Sequence, residues 1–190
     1  MDVDLAPAIV TELRARWQER HRRHHDLTHL EEVRAGLQTL RADGLEFDAR
    51  PVTLAAWFHD AVYRPFRSDN ERASAELARR LLTGDPDRAE VARLVELTAS
   101  HDPGPGDRNG IALSDADLAV LGADPVRYDA YAQNVRAEYR WVPGPIYRRR
   151  RRALLAAFLA REQLFASTPA CDRWEASARA NLARELAALG

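Results

Sequence analysis

The chain contains no lysine: all 28 of its basic residues are arginine. That excludes chemistry built on a lysine amine, such as the phosphate-loop lysine and the lysine Schiff base. Cys171 is the only cysteine, so no internal disulfide can form, and a reducing, cytoplasmic setting is expected. No apolar run approaches the roughly 20 residues that span a bilayer. The acidic opening Met1-Asp2-Val3-Asp4 lacks the basic segment of a secretory signal. Net charge is -1, which gives no overall pull toward nucleic acid or an anionic membrane. Neither an alternating strand pattern nor an internal repeat is found.

What remains is a helical chain. Its 190 residues, 46% hydrophobic and 30% charged, suit one domain over 1–190 with a real core. Helical spacing predicts an all-α bundle of eight or nine helices. The first runs from about Leu5 to Arg20. The second ends near Arg41 with Gly44 as its C-terminal cap. Pro51 suits the first turn of a third, and Asp69 or Asn70 caps a fourth that ends at Gly84. Asp85-Pro86 opens another, and the stretch from His101 to Asp107 is the clearest loop. Ser114 is expected to cap a short helix over Asp115 to Leu121. A helix around Tyr128 to Arg140, a turn at Pro143-Gly144-Pro145, and helices over about Ile146 to Phe165 and Asp172 to Leu189 complete the reading.

The chemistry concentrates in a few places. His59-Asp60 sits inside the apolar run Trp57 to Tyr63, so an imidazole and a carboxylate are carried inward. Burying a carboxylate alone costs several kcal/mol or more, so an arginine or a metal ion must meet Asp60. Adjacent helical residues point about 100° apart, so other ligands must come from other helices. His24, His25 and His29 precede the pair; Asp69-Asn70-Glu71, His101, Asp115 and Asp117 follow it. Nitrogen and oxygen donors of this kind suit a borderline divalent ion.

The order H…HD…D on a helical chain resembles the HD superfamily of metal-dependent phosphohydrolases, and in particular a subgroup of predicted phosphohydrolases within it. Arg23-His24-His25-Asp26-Leu27-Thr28-His29-Leu30 is similar to that subgroup's Arg-x-Tyr-His-Asn-Leu-x-His opening, with His24 in place of tyrosine. Ala56 to Tyr63, Ser68 to Ala75 and Asp115 to Gly122 resemble its later motifs, with weaker echoes at Val135 to Tyr139 and Ala178 to Leu182. The resemblance implies an HD-like bundle. It also implies a divalent metal (Mn, Fe, Co, Ni, Zn or Mg) held by His25, His59, Asp60 and Asp117, with Asp115 as the alternative to Asp117. The implied reaction is hydrolysis of a small phosphate ester or nucleotide through a metal-activated water. Asp60 would accept a proton, Glu71 would act as base or orient the water, and His101 would hold a phosphate oxygen. His29, Arg64, Arg67 and Arg72 would contact the substrate.

Each feature has a plainer alternative. His59-Asp60 can be a buried ion pair with an arginine, and Asp69 to Glu71 a helix cap with acids at the positive end of the dipole. His101 closes a helix, where a cation is favourable in any case. The run Arg148 to Arg152 goes right round a helix and cannot form one patch, so a nucleic-acid face lacks support. At the level of the whole chain, the alternatives are a catalytically silent metal- or nucleotide-binding module and a helical interaction domain without metal.

Overall fold

A computed structural model describes residues 5–190; the acidic opening at 1–4 lies outside them. Nine helices and no strand form among the described residues. They are α1 (Pro7–Trp17), α2 (Leu27–Ala42), α3 (Ala49–Phe58), α4 (Asn70–Leu81), α5 (Arg88–Leu97), α6 (Arg108–Leu118), α7 (Pro125–Glu138), α8 (Gly144–Leu159) and α9. A 3-10 turn, Ala119–Gly122, extends α6. The last helix, α9, covers 168–188: it starts at Thr168–Ala170, widens to π geometry over Cys171–Glu175 and returns to α over Ala176–Ala188.

The centre of the bundle is α3, buried along its length from Pro51 to Phe58 because its sequence offers apolar or small residues on every side. Around it pack α2, α5 and α6. The crossing of α2 and α6 is close. A Cβ at Gly36 would stand 3.3 Å from the Ala116 Cβ, so a larger residue at 36 would push the two helices apart. Asp117, the next residue after Ala116, is thereby brought alongside the start of α2. Trp17, fully buried at the end of α1, donates from Nε1 to the Trp57 carbonyl at 3.0 Å and ties the first helix to the centre.

Several boundaries differ from the sequence expectation. Ser114 is not a cap but lies buried in the middle of α6. That helix starts at Arg108, with Asp107 accepting from the Gly110 N–H at 2.9 Å. The apolar stretch Ile111 to Leu113 is already helical, so the real start lies directly after the Pro/Gly loop. Pro143-Gly144-Pro145 is not a separate turn but the entry to α8, where a missing proline N–H breaks no helical bond. The same helix stops at Leu159, short of Phe165. The segment beyond is anchored by carboxylates: Glu175 accepts from Leu164 N and Phe165 N, and Asp115 from Ala166 N and Ser167 N. At Gly44 the expected left-handed cap is present, with φ 95°. No helix among the described residues is long and apolar enough to cross a membrane.

The end of the 3-10 turn meets α9 without room to spare. A Cβ on Gly122 would lie 2.5 Å from Trp174 Cβ and 2.8 Å from the Trp174 carbonyl oxygen. Backbone cannot step aside as a side-chain tip can, so Gly122→Ala is expected to destabilise by about 1–3 kcal/mol. A lower denaturant midpoint at unchanged slope is the expected readout, and an unaltered midpoint would show that the α9 contact is slack.

Candidate metal centre

Four elements, α3 among them, converge on one site. Asp26 caps α2, accepting from Thr28 N at 2.8 Å and His29 N at 3.4 Å, which sets His29 in the first turn of the helix. His59 is the residue on which α3 ends, and Asp60 follows it. Asp117 stands at the end of α6, and His101 begins the loop after α5 in a left-handed conformation, φ 47°.

The distances define a cluster. His29 Nε2 lies 3.2 Å from His59 Nε2 and 3.0 Å from Asp117 Oδ1. Single donor atoms of His29, His59 and Asp117 fall within 4.8 Å of one another. Asp60 Oδ2 stands 3.5 Å from His59 Nε2 and 3.9 Å from His29 Nε2, and His101 Nε2 lies 3.6 Å from Asp117 Oδ2. His29 and His59 are almost wholly buried. His59 Nδ1 donates to the Ala56 carbonyl at 2.7 Å, which leaves the Nε2 lone pair facing the cluster, as a metal ligand requires. His29 Nδ1 has no such partner.

Electrostatics follow the packing. Burial opposes ionisation of Asp117, but the imidazoles of His59, His29 and His101 outweigh it and hold its carboxyl well below the usual range. Burial lowers the pKa of His101 despite the attraction of Asp117. It lowers that of His24 strongly, helped by the neighbouring His29 and His25.

The arginine that reaches Asp60 does not meet its carboxylate. Arg22, 3% exposed, donates to the backbone carbonyls of His25 and Asp60, both at 2.8 Å, and to that of Ala61 at 3.3 Å. Its guanidinium lies over Trp17 and Tyr63. Arg22 thus fixes the backbone of the HD turn and leaves the Asp60 side chain to the imidazoles. Beyond that turn, Ser74 Oγ bonds both Val62 N and Val62 O, and the Asn70 amide bonds both Arg64 N and Arg64 O.

The histidine-rich segment before α2 hangs on one acid. Glu138, buried at the end of α7, accepts from the N–H groups of Arg23, His24 and His25 at 2.7, 2.9 and 3.0 Å. Its other oxygen lies 2.7 Å from His25 Nδ1 and accepts from the Tyr63 hydroxyl at 3.0 Å. His25 in turn stacks on Tyr63, ring centres 4.0 Å apart.

The expected site residues are therefore sorted. His25 does not join the donor cluster; His29 takes that place, because Asp26 starts the helix between them and turns His25 toward Glu138. Asp115 is not an alternative to Asp117. It points to the opposite side of α6 and holds the chain before α9. Asp69 occupies the cap position of α4 but makes no cap bond; it forks to Arg67 and Arg72 instead.

A cavity of about 520 Å³ lies over the cluster, within the range of small-molecule sites. Glu71, Arg67, His25 and His101 line it with His29, Asp60 and Asp117. Arg64 and Arg72 do not. Arg64 faces a separate hollow with Phe66 and Trp141, and Arg72 is spent on Asp69. Arg161, not foreseen from the sequence, does line the cavity. It donates to the carbonyls of Ser100 and His101, and no carboxylate neutralises it among the described residues. Of the run Arg148 to Arg152, only Arg151 is buried, paired with Glu185.

No model of a known protein family, no curated protein and no solved structure matches the chain. The donor set itself, two imidazole nitrogens and a carboxylate with a second carboxylate adjacent, can hold a divalent ion of the borderline class.

Glu138 also predicts a pH effect. Burial opposes its ionisation, but His25 and the backbone N–H groups hold its pKa at about 2, below the ordinary 4.5. A depressed acid stabilises the fold above its unfolded pKa and loses that contribution as pH falls through the folded one. The stability gap between wild type and Glu138→Gln is expected to shrink as pH falls from 4.5 toward about 2. Denaturant melts across that window measure it; a constant gap would mean that the charge of Glu138 is not what holds the loop.

Proposed function

We propose that the chain is a metal-dependent phosphohydrolase of the HD type, acting on a small phosphate ester. The observation that carries the proposal is the buried meeting of His29, His59 and Asp117, with Asp60 beside them, at the floor of an open cavity. His29, His59, Asp117 and Asp60 would hold the ion. When bound, a divalent ion acts as a Lewis acid on phosphoryl oxygens and acidifies water.

The remaining work falls to the chain. Arg22 fixes the backbone of Asp60, and the Asp60 carboxylate would accept a proton from the attacking water. Glu71, on the cavity wall, orients that water by hydrogen bonding. Arg161 offers a cation not already spent on a carboxylate, suited to charge that builds on the phosphate oxygens. Arg67 is less free, because Asp69 holds it at 2.6 and 2.7 Å. His101 stands where it can bond a phosphate oxygen from the loop side.

The test is turnover of a panel of phosphomonoesters and phosphodiesters with Mn, Co, Ni or Mg supplied in turn. At least one substrate should be hydrolysed in a metal-dependent way. Asp60→Ala should lower kcat/KM by roughly 100-fold or more, and Arg161→Ala by roughly 10- to 100-fold with metal retained. Bound metal without turnover of any substrate would favour a silent binding module instead. Full activity in Asp60→Ala would remove the site from consideration.

A further inference from the structure

The wall formed by α8 continues past the cavity over the cluster. Arg150, Leu154 and Phe158 are four residues apart in turn, so they form one row along the helix, about 12 Å from first to last. Phe158 and Leu154 line that cavity, with Arg161 beyond them. Leu154 also lines a second hollow of about 410 Å³, and there it is joined by Arg150, which does not line the first. Opposite, Tyr131 and Tyr139 border both spaces. The two are therefore one cleft, with the cluster at one end and Arg150 at the other.

The chemistry of the cleft changes along its length. Among the described residues no acidic side chain lines the second hollow, and Val135, Val142 and Tyr147 give it an apolar and aromatic body. Two cations reach it. Arg151, 6% exposed, is spent: it binds Glu185 at 2.8 and 2.9 Å and lies 3.3 Å from the Tyr131 hydroxyl. Arg150 is exposed and has no carboxylate partner among the described residues. Arg148, Arg149 and Arg152 carry the same charge but line neither space. Of that run, only Arg150 offers the cleft an uncommitted charge. An anion with an apolar body would bury the body against the rings and valines and leave its charge at Arg150. A lone guanidinium matches one unit of negative charge, and its fork fits the two oxygens of a carboxylate. A phosphate dianion there would be only half neutralised.

We propose that Arg150 is the outer anchor of this cleft, where it binds a carboxylate at the far end of an elongated ligand. The apolar middle of the ligand lies along Leu154, Tyr131 and Tyr147. Its phosphate lies over the His29–His59–Asp117 cluster. The phosphate end rests on the function proposed above; the carboxylate end rests on the second hollow alone.

Binding of phosphonates, which carry no hydrolysable ester, tests the anchor on the full-length protein. Calorimetry compares phosphonopropanoic, phosphonohexanoic and phosphonoundecanoic acids with alkylphosphonic acids of matched length, which end in methyl instead of carboxylate. For at least one length the carboxylate should tighten binding roughly 5-fold or more. In Arg150→Gln that gain should disappear. In Arg149→Gln, which removes the same charge from an exposed residue outside the cleft, it should stay. Unchanged melting temperatures show that both variants are folded. No gain at any length, a gain intact in Arg150→Gln, or an equal loss in both variants would overturn the proposal. So would a several-fold larger gain from hexane diphosphonate than from phosphonohexanoic acid, which would give the anchor to phosphate. The two ends fail separately. A carboxylate gain without hydrolysis of any ester keeps the anchor and removes only the reaction. Hydrolysis of esters without a carboxylate gain removes the anchor and leaves the phosphohydrolase reading standing.

Discussion

Two imidazole nitrogens 3.2 Å apart, with a carboxylate oxygen 3.0 Å from one of them, are costly to gather inside a protein. Their charges and lone pairs lie out of water, so the arrangement persists only when a proton or a cation satisfies it and the surroundings hold it in place. Much of the architecture around α3 is that surrounding. The narrow crossing at Gly36 and Ala116 delivers Asp117 to His29, and Arg22 pins the HD backbone. Ser74 and Asn70 lock the strand of chain that leaves it. Glu138 holds the segment that enters α2.

The absence of lysine acquires a structural meaning in this setting. Arg22, Arg161 and Arg179 each bond two or more backbone carbonyls where the chain changes direction. A planar guanidinium with five fixed donors can gather such carbonyls at once, and it stays charged when buried; an ammonium on a flexible stem does neither well. Two of these arginines frame the centre: Arg22 beneath the HD turn and Arg161 at the rim, where it also supports the strained His101.

Much of this was legible from residue spacing. Helical periodicity located the helices apart from α6, whose start it put at Asp115 instead of Arg108, and the apolar run around His59 and Asp60 placed them in the interior. Two residues apart on a helix point to opposite sides, which is how Asp115 and Asp117 came to divide their work. Choosing between His25 and His29 was beyond spacing alone. They are four apart and would share a face if both were helical, but the Asp26 cap puts the helix start between them. Glu138 was hidden for another reason: it meets its partners across 113 to 115 residues of sequence, and no local pattern announces such a bond. Arg161 was equally obscure, one arginine among many until the loop after α8 brought it to the cavity.

The central claim is that the buried cluster, with His29 and not His25, is a metal site. Elemental analysis of protein purified without chelator tests it most directly, on wild type, His29→Ala and His25→Ala. The account predicts about one equivalent of a divalent transition metal in wild type and in His25→Ala, and its loss in His29→Ala. Metal retained in His29→Ala and lost in His25→Ala, or no metal in the wild type, would contradict it.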